Sequence, residues 1–246
     1  MPRLRSILAP LLWLGLAAAP AAAAPPSPFR LFLNGVFEPS GNDFDESRSF
    51  TQYAETGTLD AAYSEKTGYG GELGLQYSIK PHLAVAAGVG LTHRDVSAHF
   101  DAEIPHPFYF GQFRQASGDL SGFGAKETAV TLDLVYTASS GRFDFRVFGG
   151  GAYFHLAADL IGNLQYTQTY PYDSVTVTGA TTLSTSGDAF GFDVGAGADY
   201  RLSPHFALGA QARYARGTAS LHPTPGEALD VRAGGFQLAV GLRFIF

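Results

Sequence analysis

The chain has 246 residues, a formal net charge of −6 and no cysteine, and only 15% of its residues are charged. The lack of cysteine excludes a disulfide scaffold, a thiolate zinc site and a cysteine nucleophile, and the acidic balance argues against a nucleic-acid partner. With 46% hydrophobic residues, the chain is also too apolar to be disordered.

Residues 1–24 have the layout of a secretory signal peptide. A basic start precedes an apolar run over residues 7–16, and small alanines follow at the expected cleavage point. Pro10 and Pro20 interrupt the apolar stretch, which argues against a membrane-spanning helix. We therefore expect the mature chain, residues 25–246, to form one domain.

Apolar residues in the mature chain recur at every second position, which is typical of β-strands and not of helices. The alternation predicts eight strands, near residues 29–38, 68–79, 83–94, 126–138, 142–154, 188–201, 206–216 and 233–246. All 14 prolines fall outside these spans, as paired strands require.

The predicted connections alternate between short and long. The short ones are residues 80–82, 139–141 and 202–205, and the long ones are 39–67, 95–125, 155–187 and 217–232. This alternation is typical of a closed, antiparallel, up-and-down transmembrane β-barrel with tight periplasmic turns and long extracellular loops. If segments of the long loops also crossed the membrane, the barrel would have ten or twelve strands; residues 174–178 read more simply as a strand that continues above the membrane.

The apolar face of each strand is expected to point outward, because the opposite face carries mainly glycine and alanine, which suit a narrow interior. A water-facing surface would also need more than the three lysines of this chain. Tyr77, Tyr136 and Tyr200 fall on the apolar face at the predicted periplasmic strand ends, where an aromatic girdle belongs.

The last strand carries a resemblance to a known family. Its sequence, Phe236-Gln-Leu-Ala-Val-Gly-Leu-Arg-Phe-Ile-Phe246, resembles the C-terminal signal of bacterial outer-membrane proteins, with Phe244 and Phe246 as its aromatic end. As a whole, the mature chain resembles the small outer-membrane barrels: the transmembrane domain of outer membrane protein A, outer membrane proteins X and W, and the opacity-type adhesins. The resemblance implies a monomer in the outer membrane of a Gram-negative bacterium, with both termini periplasmic. It also implies contact with outer-membrane lipids, and with the barrel assembly machinery during biogenesis.

Charged residues on the inward face are expected to form a network in the lumen. The main members are Arg30, Glu72, Asp133, Arg146, Asp193, Arg213 and Arg243. Counting from the turns places Asp133 level with Arg146, and Asp193 level with Arg213. The network is interpreted as ion pairs that fill the lumen, with a charged, ion-selecting constriction as the alternative.

Several features lie at the predicted extracellular end. A set of cations at the strand ends is suited to the phosphates of lipopolysaccharide: Lys66, Arg94, Lys126, Arg216 and Arg232. Residues 104–113 are densely aromatic and form either a ligand surface or a packed strand extension. The acidic segment 43–46 is more simply a solvated loop than a cation site.

The seven histidines show neither metal-ligand spacing nor a catalytic motif. We therefore expect no enzymatic activity, no metal and no cofactor. The favoured function is structural, adhesive or surface-binding through the extracellular loops. The alternatives are a small-solute porin or hydrophobic-compound conduit and, less favoured, a lipid A-modifying enzyme.

Overall fold

The computed structural model describes residues 28–39, 41–221 and 229–246, which form nine β-strands. The expected signal peptide, residues 1–24, lies outside the described residues. The strands are Phe29–Glu38 (β1), Phe44–Gln52 (β2), Glu55–Lys80 (β3), Leu83–Pro105 (β4), Phe113–Ser140 (β5), Phe143–Gln168 (β6), Val175–Arg201 (β7), Phe206–Leu221 (β8) and Leu229–Ile245 (β9). Within the described ranges, no helix is long and apolar enough to cross a membrane.

Eight of the strands form a ring of antiparallel neighbours. The ring closes because β1 pairs with β9 along residues 30–37 and with β3 along residues 29–38. The ninth strand, β2, pairs with β3 alone and forms a hairpin on the wall of the ring. The prediction of an eight-stranded closed sheet is confirmed. Closure pairs the backbone groups that an open sheet edge would leave exposed.

Three tight turns lie at one end of the ring, which we call the short-turn end. They connect β3 to β4, β5 to β6, and β7 to β8, at or beside the positions that the sequence predicted. The turn between β5 and β6 contains Gly141 with φ = +60°, a left-handed conformation that glycine adopts without strain.

The β3–β4 and β7–β8 turns have similar sequences, with Pro81-His82 in one and Pro204-His205 in the other, and they use the same histidine contact. His82 Nδ1 lies 3.0 Å from the carbonyl oxygen of Thr137, and His205 Nδ1 lies 3.1 Å from that of Ile245. The carbonyl of each histidine in turn accepts the amide N–H of the same neighbour at 2.9 Å. Each turn is thereby tied to the end of the adjacent strand.

At the other end, the strands continue far beyond their predicted limits. Residues 55–67, 95–105, 113–125, 155–168 and 175–187 were predicted as loops, apart from 174–178, and belong to strands instead. The prediction ended the strands too early because their outward residues become serine, threonine and charged side chains there. We call this part of the wall, residues 44–66, 94–125, 155–188, 216–221 and 229–232, the extension.

The extension reverses the polarity of the wall. Along β4, the outward positions change from the exposed Leu91 to the charged Asp101, while the inward positions change from Arg94 to the buried Val96 and Phe100. Along β4 the inward and outward phases are kept, and only the polarity switches. The lower wall is therefore apolar outside and polar inside, whereas the extension has an apolar core and a polar exterior.

Candidate functional site

An apolar belt surrounds the ring between the short-turn end and the extension. Its members are large outward side chains that are 41–64% exposed: Leu33, Leu73, Leu75, Val89, Leu91, Val130, Leu132, Leu134, Phe145, Val147, Phe192, Val194, Leu208, Leu238, Val240 and Leu242. A continuous apolar surface of this extent marks a contact with an apolar partner or solvent, and a belt around a closed barrel matches the lipid-facing band of outer-membrane proteins.

Aromatic rings line both margins of the belt. The structure places Tyr77, Tyr136 and Tyr200 outward at the short-turn margin, and the ring of Tyr77 lies 5.0 Å from that of Phe29. The second margin was not predicted from the sequence, and it carries Phe37, Tyr69, Tyr153, Phe190, Tyr214 and Phe236. The same period of two that leads from Tyr77 through Leu75 and Leu73 reaches Tyr69, so this signal was available.

Charged side chains occupy the interior in three clusters. The lower cluster, nearest the short-turn end, consists of Arg30, Arg146, Arg201, Arg243, Asp144 and Asp199. Asp199 lies 2.9 Å from Arg30, 3.0 Å from Arg146 and 3.2 Å from Arg243. Both aspartate side chains are fully buried, so their charges are compensated by arginines and not by water.

The middle cluster surrounds Arg213. Its guanidinium lies 2.6 Å from Glu72, 3.1 Å from Asp193 and 3.6 Å from Asp133. The structure thus brings Asp193 to Arg213, but it does not bring Asp133 to Arg146. In the ladder between β5 and β6, Asp133 pairs with Gly150 and Arg146 pairs with Thr137, so the two side chains lie at different heights.

The upper cluster corrects one prediction. Arg94 was predicted to face outward toward lipopolysaccharide, and this is wrong, because Arg94 lies on the inward face of β4 and is 2% exposed. It forms an ion pair with Glu38 and lies 3.5 Å from Glu65 and 3.7 Å from Glu127. The outward residue at this height is His93.

The four remaining predicted cations do point outward. Lys66, Lys126, Arg216 and Arg232 are all exposed. Arg216 follows Tyr214 on the same face of β8, and Lys126 pairs with His93 of β4. These cations therefore lie just beyond the second aromatic margin of the belt.

Three hairpin ends meet at the far end of the extension. The ring of Phe108, between β4 and β5, lies 5.4 Å from that of Tyr172, between β6 and β7. The amide of Gly111 donates to Glu55 of the β2–β3 hairpin at 2.6 Å. We call the aromatic residues of this surface the tip platform: Tyr53, Phe108, Tyr109, Phe110, Tyr170 and Tyr172. Phe110 is 86% exposed and Tyr170 is 81% exposed.

Buried polar residues hold the tip platform in place. His106 is almost fully buried, and its Nδ1 accepts the amide N–H groups of Phe108 and Tyr109 at 3.1 and 3.2 Å. The buried Arg114 donates to the carbonyl of Pro105 at 2.7 Å and to the side chain of Gln168 at 2.6 Å. The exposed rings are therefore presented by an ordered support.

The ends of residues 104–113 belong to β4 and β5, as the strand-extension alternative predicts, and the rings between them are exposed. The alternative of a ligand surface stays a prediction. Tyr170 and Tyr172 were not predicted from the sequence as part of this surface, because they join it from a hairpin about 60 residues away. The residues that the structure describes contain no group of three histidines and carboxylates arranged to hold a metal ion.

Comparisons with known proteins identify a family. The model of the family described as "Outer membrane protein beta-barrel domain" matches residues 9–244. Three of the similar solved structures are as follows. Neisserial surface protein A has 13% identity and a TM-score of 0.49, covering 89% of this chain and 97% of that chain. A major outer membrane protein from Thermus thermophilus has 14% identity and a TM-score of 0.45, with coverage of 89% and 99%. Ail, the attachment invasion locus protein of Yersinia pestis, has 12% identity and a TM-score of 0.38, with coverage of 87% and 98%. None of the curated proteins matches the chain in sequence.

Proposed function

Because the chain belongs to the outer membrane protein beta-barrel family, we propose that it is a surface-binding barrel of the outer membrane, with an adhesive or structural role. In this proposal, the apolar belt contacts lipid and the extension is the functional module. The observation that carries the proposal is the tip platform, a set of exposed rings contributed by three hairpins and fixed by buried polar contacts. Preorganised exposed aromatic residues provide contact area at a low cost in entropy.

The proposed orientation places the extension outside the cell and the short-turn end in the periplasm. Both ends of the ring-forming chain lie at the short-turn end, where Phe246 N donates to Phe29 O at 3.1 Å. Short turns on the periplasmic side and long hairpins outside are the pattern of bacterial outer-membrane barrels. In this arrangement, residues 1–24 act as the signal peptide, residues 25–246 form the mature barrel domain, and both termini are periplasmic.

Two partners follow from this orientation. The outward cations beyond the belt, Lys66, Lys126, Arg216 and Arg232, are suited to the phosphates of lipopolysaccharide. The apolar final strand, which ends with Phe244 and Phe246, is suited to recognition by the barrel assembly machinery. We propose that the protein acts as a monomer, since its ring is complete within one chain.

We propose that the lumen does not conduct solutes. The three charged clusters support this, as does the size of the space between the middle and upper clusters, which is about 20 Å³. Purified protein in planar bilayers is expected to give no channels above the background. Reproducible conductance steps would favour the porin alternative.

The surface-binding role is tested by expressing the full chain in a Gram-negative laboratory host that lacks adhesins. Cells that carry the protein are expected to be retained on cultured epithelial cells or on polystyrene more than cells with an empty vector. The double variant Phe108→Ser, Phe110→Ser should lose most of this gain at equal amounts in the outer membrane. The control variant Thr182→Ala, Ser186→Ala changes the exposed wall of the extension and should keep the full gain in retention. Equal retention by the tip variant and the wild type would contradict the proposal.

A further inference from the structure

A cleft of about 570 Å³ opens where the β2–β3 hairpin lies against the upper part of β6. Arg48, Phe50 and Gln52 form one wall, and Leu164 and Tyr166 form the other. The volume falls in the range of small-molecule sites, roughly 300–1,000 Å³. The tip platform does not line the cleft, so the surface-binding proposal leaves it unexplained.

A β-bulge in β6 shapes this cleft. The pairing of β6 with β7 shifts register between Ile161 and Leu164. The amide of Ile161 instead donates to the hydroxyl of the buried Tyr63 at 2.8 Å, and the amide of Asn163 donates to Thr181 Oγ1 at 2.7 Å. Bulges occur next to binding sites because they redirect the backbone and side chains of one strand. Here the bulge turns the carbonyl of Gly162 toward Arg48, whose guanidinium contacts it.

Charge is unbalanced in the cleft. Arg48 is the single charged residue among the described residues that line it, and no carboxylate is among them. The buried Glu46 precedes Arg48 on the same face of β2, but its Oε2 accepts the hydroxyl of Tyr63 at 2.9 Å. A guanidinium has five N–H donors, so the contact with Gly162 leaves donors for a ligand.

Part of the remaining lining is apolar, and it lies beside uncharged polar side chains: Ser49, Thr51, Gln52 and Asn163. Phe50, Leu164 and Tyr166 are partly buried and pack against the apolar core of the extension, while Leu59 forms part of the floor. We propose that this cleft binds a small amphipathic anion, with its apolar body between Phe50 and Leu164 and its carboxylate or sulfonate on Arg48. This inference is independent of the tip platform.

Two probes that share the same aromatic skeleton and differ only in a sulfonate group separate the anionic contact from the apolar contact. The probes are 8-anilinonaphthalene-1-sulfonate and its uncharged parent, N-phenyl-1-naphthylamine, titrated by fluorescence into the full protein in phosphatidylcholine nanodiscs. Empty nanodiscs give the lipid background. The wild type is expected to bind the sulfonate saturably, with one site per chain. Absence of saturable binding above the empty discs would overturn the proposal.

Arg48→Gln is expected to weaken sulfonate binding about tenfold, equivalent to about 1.4 kcal/mol, and to change binding of the uncharged probe less than twofold. Arg48→Lys keeps the charge and should retain most of the sulfonate affinity. The matched control, Arg142→Gln, removes an exposed arginine from the turn between β5 and β6 and should behave as the wild type. Equal sulfonate affinity in Arg48→Gln and Arg142→Gln would overturn the proposal, as would a lysine variant as weak as the glutamine variant.

Discussion

Arg213 and Glu72 are 141 residues apart in sequence, and their charged atoms lie 2.6 Å apart inside the ring. The same guanidinium contacts Asp193 and, at a longer distance, Asp133. One arginine thus contacts three buried carboxylates that come from three different strands. This relationship makes Arg213, and not any single acid, the residue on which the middle cluster depends.

Arg213→Gln is expected to destabilise the barrel by about 3–5 kcal/mol, because it leaves Glu72 and Asp193 buried without a cation. Asp133→Asn should have a much smaller effect, since Asp133 is the most distant of the three acids and its removal relieves repulsion from the other two. Thermal unfolding in detergent, followed by circular dichroism, measures both variants. Equal losses of stability would show that Asp133 is as important to the cluster as its arginine.

The apolar core of the extension is expected to unfold independently, while the strands of the belt stay folded. Phe100 and Phe154 are 2% and 1% exposed, and truncation of a buried phenylalanine costs about 3–5 kcal/mol. In Phe100→Ala, hydrogen exchange should therefore accelerate along residues 95–105 and 113–125, while residues 68–79 stay protected. Leu132→Ala, in the belt, is the control and should not accelerate exchange in the extension. Uniform acceleration along the whole wall would contradict two separately stabilised halves.

One ion pair on the extension should be sensitive to pH. The hydrogen bond to Asp119, at 2.8 Å, raises the pKa of His99 above its ordinary value, and the charges of Asp119 and Asp101 add to the effect. A raised pKa in the folded state means that the contact stabilises the fold fully below the unfolded pKa of about 6.5. This stabilisation is lost as the pH rises through the folded value.

Titration of the His99 ring by NMR is expected to show a higher pKa in the wild type than in Asp119→Asn. Ser121→Ala changes β5, the strand that carries Asp119, without removing the contact with His99, and should leave the titration unchanged. If the asparagine variant titrated like the wild type, the contact with Asp119 would not be formed in solution.

The outward cations should couple the barrel to lipopolysaccharide. Added lipopolysaccharide is expected to raise the melting temperature of the wild type in detergent, and the double variant Arg216→Gln, Arg232→Gln should reduce this increase. The effect should weaken with salt, because exposed charges are screened. Arg142→Gln, at the opposite end, controls for the loss of a charge. A full increase in the double variant would exclude these two arginines as contacts.

The ring and its belt could be predicted from the sequence, because both depend on apolar residues at every second position of a strand. Leu73, Leu75 and Tyr77 had to share a face, and the opposite face was too small and too poor in lysine to meet water. The extension could not be recognised this way, since its pattern keeps the same period but exchanges apolar and polar faces near Arg94. A strand whose outward residues are His93, Asp95 and Ser97 reads as a loop when apolar residues are expected outside.

The candidate sites were predicted only in part, because they are assembled from distant segments. Asp193 and Arg213 lie on adjacent strands. Counting from the turn missed their register by two residues, since Asp193 pairs with Ala215, but the long arginine side chain still reaches the carboxylate. The approach of Glu72 to Arg213 crosses the ring, and no local count reveals it. The aromatic stretch 104–113 was visible as composition, but its contact with Tyr172 and the cleft beside Arg48 depend on how the hairpins pack together.

The proposed function depends on a belt that faces lipid while the interior of the same strands is polar. Because the chain contains no cysteine, single cysteines at Leu132 and Asp101 can carry spin labels at defined sites in reconstituted bilayers. The label at Leu132 is expected to collide with oxygen more than with a water-soluble nickel complex, and the label at Asp101 should show the reverse. A label at Leu132 with the nickel accessibility of Asp101 would contradict the account.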